Sequence, residues 1–457
     1  MAQAFFGGVH PHDMKAATNE KAIEQLAPPA VVVIPMSMHF GAPCTPLVKA
    51  GDHVKVGQKI GEFHGLGAPI HASVSGTVKA VEPRPYSMGG NITSVVIEND
   101  MQDEVSEELQ APADPNALSV EEMVEIVKNA GIVGMGGATF PTHVKITSGI
   151  GKVNTVIING AECEPYITGD HRTMLERPEE IIGGAKFLAK MFGVDKVVIG
   201  VEDNKRNGID AMNKVIAEQK APVVVEPLRC RYPQGGEKQL CQAITGRQVP
   251  PGGLPADIGC AVFNINTTCA IYRALTTGMP VVSKIVTVSG SGVVEPKNLE
   301  CPIGTPVSSL LDACGGLKDG TYKLIAGGPM MGMAQYTADI SVAKGTGAIL
   351  AFCENEEKTV ENPQCIRCGK CVSVCPMHLE PLFMYQYASK GMVEELNDAH
   401  IMDCMECGAC SYICPARMHL THMFKTGKQL VKDKAAADRA AAEAKKKAEE
   451  AKEAAAK

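Results

Sequence analysis

Two runs of closely spaced cysteines near the C-terminus constrain the fold of this chain more than any other feature. Each run places four cysteines at intervals of two, two and three residues and ends in proline. The cysteines of the first run are Cys365, Cys368, Cys371 and Cys375, and those of the second are Cys404, Cys407, Cys410 and Cys414. A glycine follows the second cysteine of each run, where the backbone must wrap closely. The runs therefore predict a segment folded around thiolate-bound metal.

The spacing of both runs resembles that of bacterial ferredoxins with two clusters. In that family three cysteines of one run bind one [4Fe-4S] cluster, and the fourth binds the other. The resemblance implies one cluster on Cys365, Cys368, Cys371 and Cys414, and a second on Cys404, Cys407, Cys410 and Cys375. Structural zinc and disulfides are the alternatives, but zinc ligands usually come as separated pairs and disulfides need an oxidising compartment. The runs thus predict a pair of one-electron carriers.

The composition excludes several classes of function. The 457 residues carry a net charge of −7 and no tryptophan, which argues against a nucleic-acid partner. No apolar run reaches the ~18–20 residues of a membrane helix. The N-terminus has no basic stretch followed by an apolar core, so we expect no export signal. The expectation is a folded cytoplasmic chain without its own transmembrane segment, which contacts a membrane only through a partner.

The sequence predicts a multidomain α/β protein, and residues 1–105 form its β-rich first segment. A buried strand is expected at 31–35, followed by short strands punctuated by glycine. This segment resembles the barrel-sandwich hybrid of lipoyl and biotinyl carriers. Such carriers present a lysine in an exposed hairpin, whereas the hairpin at 63–67 has none. We therefore interpret residues 1–105 as a structural module.

Residues 116–280 alternate between β-branched apolar runs and amphipathic helical patterns. Ser119 and Glu122 predict a capping box at the start of the first helix. Strands are predicted at 155–158, 196–201 and 223–226, and helices at 178–191 and 208–218. This alternation indicates a mainly parallel sheet covered on both faces. Ligands of such sheets bind beyond the carboxyl ends of the strands.

Three further segments complete the chain. Residues 281–350 predict a β-grasp-like module, with a strand at 285–288 and a helix at 307–313. Residues 355–425 contain both cysteine runs and predict the ferredoxin-like domain. Residues 426–457 are rich in Ala, Lys and Glu, and their opposite charges four residues apart favour a solvent-exposed helix.

A glycine-rich stretch at 131–145 is the second informative motif. It contains Gly134, Gly136 and Gly137, and then Phe140 and Lys145. Glycines let several backbone N–H groups converge on a phosphate, and a lysine adds a positive charge. The order of the glycines differs from the dinucleotide fingerprint, and a helix precedes them instead of a strand. On its own, a glycine-rich stretch is weak evidence of a phosphate site, and a plain packing turn is the more frequent explanation.

Polar residues that could complete a nucleotide site follow further along the chain. Asn159, Glu162 and Glu164 come just after the predicted strand at 155–158, where a parallel sheet meets its ligand. An amide can hydrogen-bond to the edge of a flavin ring, and a carboxylate can accept from a ribose hydroxyl. Two later stretches contain the remaining candidates, which are Gly236, Glu237, Asn264 and Thr268.

The order of these motifs resembles the FMN- and NADH-binding subunit of respiratory complex I and of NAD-reducing hydrogenases. The whole layout is similar to the C subunits of Rnf complexes, which are ion-translocating ferredoxin:NAD+ oxidoreductases. That layout begins with Gly-Gly-x-His-Pro at 7–11. A barrel-sandwich module, a flavin domain, a β-grasp module, two ferredoxin runs and a charged tail follow. The resemblance covers residues 4–425.

The resemblance implies roles by position. It places Gly134, Gly136, Gly137 and Lys145 at the FMN phosphate and the nearby NAD(H). It places Asn159, Glu162 and Glu164 along the pocket for the isoalloxazine and nicotinamide rings. Gly236, Glu237, Asn264 and Thr268 match two further elements of the complex I subunit. Phe140 either stacks on the adenine or nicotinamide or belongs to the core.

The sequence also departs from the complex I pattern. Met135 stands where an arginine is usual, and Ala161 stands near the position of an acidic residue. A double asparagine is replaced by Asn264-Ile265. The contacts to the flavin are therefore expected to differ from those in complex I.

The resemblance implies a peripheral subunit on the cytoplasmic face of the membrane. Electrons from reduced ferredoxin would arrive through membrane subunits and pass through two [4Fe-4S] clusters and FMN to NAD+. The other subunits would export Na+ or H+. Two alternatives stay open, namely a flavin and iron–sulfur cobalamin reductase of a microcompartment, and a non-catalytic polyferredoxin adaptor.

Overall fold

The computed structural model describes residues 5–354 and 360–455, with side chains described up to residue 447. The chain forms two compact units. Among the described residues, the first unit contains 10–354, and the second combines 5–9 with 360–455. The expected start of the ferredoxin-like segment, at residue 355, and the last two residues of the tail lie outside the described residues.

The N-terminal part of the first unit is built of short strands, as expected. Its elements are β1 (Ile23–Gln25), β2 (Val31–Pro35), β3 (Thr45–Pro46), β4 (His53–Val54), β5 (Lys59–Glu62), β6 (Ile70–His71), β7 (Gly76–Pro85) and β8 (Asn91–Asn99). One sheet has the order β2-β8-β7-β4, and a smaller one has the order β3-β5-β6. In β2, Val32 and Ile34 are fully buried, because alternate residues of a strand face opposite sides.

A four-stranded parallel sheet lies at the centre of the next part. The helices are α1 (Val120–Asn129), α2 (Thr142–Gly149), α3 (Gly169–Glu176), α4 (Pro178–Phe192), α5 (Arg206–Gln219), α6 (Glu237–Thr245) and α7 (Ile265–Thr277). The strands are β9 (Thr155–Gly160), β10 (Val197–Glu202), β11 (Val223–Leu228) and β12 (Cys260–Asn264). Their order is β11-β10-β9-β12. Val156, Ile157 and Ile158 of β9 are all fully buried, as expected for a strand covered on both faces.

The predicted capping box begins α1. The Ser119 side chain accepts a hydrogen bond from the Glu122 N–H at 3.2 Å, and the Glu122 carboxylate accepts from the Ser119 N–H at 2.7 Å. The pair satisfies two N–H groups that a helix start otherwise leaves without partners. Met123 and Val127 then anchor the helix in the core.

The last part of the first unit is a mixed sheet with one helix. Its elements are β13 (Ser283–Ser289), β14 (Lys297–Pro302), α8 (Val307–Ala313), β15 (Thr321–Ala326), β16 (Met333–Gln335) and β17 (Ala348–Cys353). Strand β1 joins its edge, in the order β1-β14-β13-β17-β15-β16. Lys344, which is 1% exposed, donates to Pro69 O at 2.8 Å and to Gly131 O at 2.7 Å. A buried ammonium therefore ties this part to the two parts that precede it.

The second unit is helical. Its helices are α9 (Lys370–Ser373), α10 (Pro381–Ser389), α11 (Val393–Asp398), α12 (Ala409–Ile413) and α13 (Leu420–Ala455). Met384, Leu396 and Phe424 form its small core. The charged tail is helical through Ala455, in agreement with the prediction. Within the described part of the chain, no helix has the length and apolar character needed to cross a membrane.

Candidate functional site

The eight cysteines of the two runs surround two cavities in the second unit. One cavity is lined by Cys375, Cys404, Cys407 and Cys410. The other is lined by Cys365, Cys368, Cys371 and Cys414. The last cysteine of each run thus joins the first three of the other run. This is the crossed arrangement expected of two-cluster ferredoxins.

The two runs share one backbone conformation. Arg367 and Glu406, two residues after the first cysteine of each run, have left-handed φ angles of 55° and 57°. Their N–H groups point back to Cys365 Sγ and Cys404 Sγ, each at 3.4 Å. N–H donors of this kind stabilise negative charge on cluster-bound sulfur.

The donor set fits a polynuclear cluster. In a [4Fe-4S] cluster four cysteine thiolates bind one group that lies between them. Four thiols around each cavity satisfy that requirement.

The parallel sheet of the first unit has a topological switch point between β9 and β12. The chain runs from β9 to β10 and β11 on one side, and then returns to β12 on the other. Asn159 of β9 and Asn264 of β12 are paired in register at the carboxyl ends of these strands. Ligands of open α/β sheets bind in the crevice at such a point. The structure therefore brings two of the predicted site residues to the expected edge.

The glycine loop, residues 131–140, packs on the start of α7 at this edge. Gly134 N–H donates to Phe140 O at 2.9 Å, and Met135 N–H donates to Thr267 Oγ1 at 2.9 Å. A Cβ on Gly136 would lie 2.7 Å from Nδ2 of Asn264. The loop can approach the strand end this closely only because residue 136 has no side chain.

Lys145 and Glu237 form an ion pair beside the same edge. Lys145 Nζ lies 2.7 Å from Glu237 Oε1 and donates to Val262 O at 3.0 Å. It also lies 5.8 Å from the centroid of the Phe263 ring. The preceding Gly236 begins α6 as its N-cap. These contacts hold a positive charge near the carboxyl end of β12.

Asn159 at the end of β9 and Glu164 in the loop after it are held by separate partners. Asn159 Nδ2 donates to Gly235 O at 2.8 Å. Glu164 accepts from the N–H groups of Met330 and Met331, each at 3.0 Å. Burial raises the pKa of Glu164 to about 7, against the opposing effect of these two N–H groups. The loop after β9 is therefore joined to the β15–β16 turn.

Four family models match successive parts of the chain. Residues 3–102 match the RnfC barrel sandwich hybrid domain, and residues 127–273 match the Nuo51 FMN-binding domain. Residues 285–334 match the SLBB domain, and residues 357–415 match the 4Fe-4S dicluster domain. The expected multidomain α/β fold class is confirmed.

Curated relatives match over most of their length. The C subunit of the Na+-translocating ferredoxin:NAD+ oxidoreductase complex of Acetobacterium woodii is 45% identical over 401 residues, covering 87% of this chain and 90% of the relative. The chain belongs to this family of C subunits. The C subunit of the proton-translocating complex of Clostridium ljungdahlii is 43% identical, with 88% of each chain covered. The C subunit of the ion-translocating oxidoreductase complex of Rhodobacter capsulatus is 41% identical, covering 82% of this chain and 73% of the relative.

One solved structure contains a chain with weak similarity to this one. A chain of an NAD+-reducing [NiFe]-hydrogenase in the H2-reduced state aligns at 19% identity with a TM-score of 0.49. The alignment covers 70% of this chain and 63% of that chain.

The structure adds a buried polar cluster that sequence reasoning missed. Asp170 accepts from Asn264 Nδ2 at 2.8 Å and from Asn266 Nδ2 at 2.5 Å. Lys284 of β13 donates to Met135 O at 3.2 Å, and burial lowers its pKa to about 8 while Asp170 opposes that shift. A buried lysine from β13 thus contacts the backbone of the glycine loop at Met135. Lys284 is more than a hundred residues from the loop, so no local pattern could have indicated it.

Two of the predicted site residues, Thr268 and Phe140, make their contacts with other groups of the protein. Thr268 is fully buried, and its hydroxyl donates to Asn264 O at 3.0 Å inside α7. Its neighbour Thr267 is the residue that contacts the glycine loop. Phe140 is half-buried, and its ring centroid lies 6.0 Å from that of Phe40. Cofactor contacts by Thr268 and Phe140, like those by the other predicted site residues, stay predictions.

Proposed function

We propose that this chain relays electrons through two [4Fe-4S] clusters and FMN and exchanges hydride with NAD(H). It would do so as the peripheral C subunit of an ion-translocating ferredoxin:NAD+ oxidoreductase complex. The observation that carries the proposal is the sorting of eight cysteines into two crossed quartets, each around its own cavity. The match of residues 127–273 to an FMN-binding domain supports the flavin part.

The second unit would hold the clusters through the two quartets. N–H groups of Arg367, Leu379 and Glu406 lie 3.4 Å from cysteine sulfurs. Such donors favour the more negative, reduced form of a cluster. Half-buried and buried cysteines (Cys371, Cys375, Cys407 and Cys410) would limit the access of water to the sulfurs.

The first unit would bind FMN and NAD(H) at the switch point of the sheet. When bound, FMN supplies the exchange between single electrons and electron pairs. Gly136 and Gly137 would offer backbone N–H groups to the phosphate, and Lys145 would add a positive charge. Gly134, whose N–H donates to Phe140 O, would shape the loop around the phosphate. Asn159, Glu162 and Glu164 would orient the rings from the carboxyl end of β9. Phe140, Gly236, Glu237, Asn264 and Thr268 complete the proposed set.

The partners follow from the family. The relatives are named as subunits of ion-translocating complexes, and we infer that this chain assembles with the membrane subunits of such a complex. It would lie on the cytoplasmic face and receive electrons that originate from ferredoxin. NAD+ would be the acceptor.

Anaerobic purification followed by iron, sulfide and flavin analysis tests the proposal. We expect iron for two [4Fe-4S] clusters, bound FMN, and bleaching of the visible absorbance when NADH is added. Clusters without FMN and without a response to NADH would instead indicate a polyferredoxin adaptor. Reduction of cob(II)alamin in strong preference to artificial electron acceptors would favour a cobalamin reductase.

A further inference from the structure

Lys15 is a buried lysine whose ammonium group donates its hydrogen bonds to a single loop. The residue is 4% exposed, although it comes from an N-terminal segment without regular structure. Its Nζ donates to Glu162 O at 3.0 Å, to Glu164 O at 3.0 Å, and to Ile167 O. A lysine ammonium has three N–H donors, so all three are used on the segment that follows β9. We call this segment, residues 161–168, the pocket loop.

The pocket loop needs support because its backbone is strained. Glu162 and Tyr166 have positive φ angles of 48° and 69°. Such conformations cost non-glycine residues about 1–3 kcal/mol each and persist only where the surroundings enforce them. The same N-terminal segment provides a second restraint, since Tyr166 N–H donates to Asp13 O at 2.8 Å. Residues 13–15 therefore hold the loop at both of its left-handed positions.

The Glu162 carboxylate is only partly satisfied. Its Oε1 accepts from the Asp170 N–H at 2.6 Å. Its Oε2 is buried and accepts no hydrogen bond from the described residues, and Lys15 Nζ lies 3.7 Å away. A buried carboxylate oxygen without a donor is costly, and it is available to a donor on a bound ligand.

We propose that Lys15 is a positioning residue of the nucleotide pocket, which fixes the pocket loop and sets the charge of Glu162. The inference rests on the proposed function, because it treats the loop after β9 as part of the NAD(H) and flavin site. The segment before β1 then has a role in the redox site, since residues 13–15 complete it from outside the flavin domain.

The charges around Glu162 determine in which direction its pKa changes when Lys15 is replaced. Burial raises the pKa of Glu162 to about 7, and Lys15 is the strongest opposing influence. The charged groups that face Glu162 are Lys15, Asp170 and Lys205, and Glu202 faces both lysines. Removing the Lys15 charge therefore moves the ionisation of Glu162 to higher pH. The pH dependence of any step that requires the charge of Glu162 must therefore also shift to higher pH.

The test uses the full chain with its cofactors and measures NADH-dependent ferricyanide reduction from pH 5.5 to pH 9. In Lys15→Met the pH profile should move to higher pH by about one unit, while the iron content stays unchanged. Lys15→Arg should keep the profile near that of the wild type. Lys21→Met is the matched control, because Lys21 is an exposed lysine of the same segment that donates to Pro296 O at 2.8 Å.

Each outcome decides the inference. An active Lys15→Met protein whose profile superimposes on that of Lys21→Met would overturn the role of Lys15 and leave the proposed function intact. If Lys15→Met does not fold, Glu162→Gln decides, since it should abolish the titration near pH 7, and an unchanged profile would overturn the inference. A wild-type chain that binds FMN but does not react with NADH would refute both.

Discussion

Asn159 and Asn264 are paired in register at the carboxyl ends of β9 and β12, and they play different structural roles. Asn159 donates to Gly235 O and so fixes the residue just before the Gly236-Glu237 element. Asn264 accepts from Asn266 N–H at 2.9 Å as the N-cap of α7 and donates to Asp170 at 2.8 Å. One asparagine orients a neighbouring loop, and the other joins a helix start to a buried carboxylate.

Asn264→Asp should be strongly destabilising although it preserves the shape of the side chain. The aspartate can still accept from Asn266 N–H, but it can no longer donate to Asp170. Two carboxylates would then face each other in a buried site, which we expect to cost about 3 kcal/mol or more. Denaturant unfolding measures the loss. Asn159→Asp is the matched variant and should cost only ~1–2 kcal/mol; equal losses in the two variants would contradict the proposed difference in role.

Substitutions at Gly136 and Gly137 distinguish an effect on protein packing from an effect on FMN binding. Gly136→Ala would place Cβ 2.7 Å from Nδ2 of Asn264, and that side chain is held by Asp170 and cannot move aside. We expect a lower melting temperature and loss of FMN. Gly137→Ala meets no protein atom within 4 Å, so its melting temperature without FMN should equal that of the wild type, while its affinity for FMN falls. Full FMN affinity in Gly137→Ala would remove this residue from the site.

Local sequence patterns were sufficient to predict those elements whose structure is specified by their own residues. β2 spans Val31–Pro35 and α8 spans Val307–Ala313, as predicted. An apolar run specifies β2, and apolar residues at helical spacing after Pro306 specify α8. The capping box of Ser119 and Glu122 lies within one helical turn, so spacing alone indicates it. The spacing within each cysteine run is local in the same sense. Which cysteine of the other run completes each cavity was predicted only through the resemblance to two-cluster ferredoxins.

Contacts between distant residues could not be predicted in this way. β1 is a strand of three residues that pairs with β14, with Ile23 opposite Asn298, and no pattern in three residues indicates such a partner. The same holds for the reach of Lys284 to Met135 O and for the hydrogen bonds of Lys15. Burial of a lysine is unusual, so lysine positions give no sign of the carbonyl groups that can compensate for it.

Lys145→Met should abolish NADH-dependent dye reduction and leave the iron content intact. Lys145 and Glu237 are both partly exposed, and pairs of this kind contribute only ~0–1 kcal/mol to folding. A loss of activity would therefore report on the cofactor and not on unfolding. Lys152→Met, an exposed lysine just beyond α2, is the control. A diaphorase rate equal to that of the control would exclude Lys145 from the site.

Cys414→Ala should remove the cluster of the first run, although Cys414 belongs to the second. The reason is that Cys414 lines the cavity of Cys365, Cys368 and Cys371. Iron content and the electron paramagnetic resonance spectrum of the reduced protein should both show one cluster lost. Adding Cys368→Ala should cause no further loss, whereas adding Cys407→Ala should remove the second cluster. The opposite result for the two double variants would mean that the runs do not cross.

Cys230→Ala is the control for this series. Cys230 is an exposed cysteine of the first unit that lies outside both runs. Its replacement should leave the iron content and the spectrum unchanged.

Glu164→Gln should reduce the dependence of stability on pH. Burial raises the pKa of Glu164 to about 7 from its ordinary value of 4.5, so the folded chain binds a proton there that the unfolded chain has released between these two values. This contribution is therefore complete below about pH 4.5 and is lost as the pH rises through 7. We expect the free energy of unfolding of the wild type to fall by about 1–3 kcal/mol more than that of Glu164→Gln between pH 5 and pH 8.

Urea unfolding at several pH values measures the difference, with Glu218→Gln, an exposed position at the end of α5, as control. Parallel curves for the wild type and Glu164→Gln would mean that Glu164 is ionised in the folded chain throughout this range, with the N–H groups of Met330 and Met331 outweighing its burial.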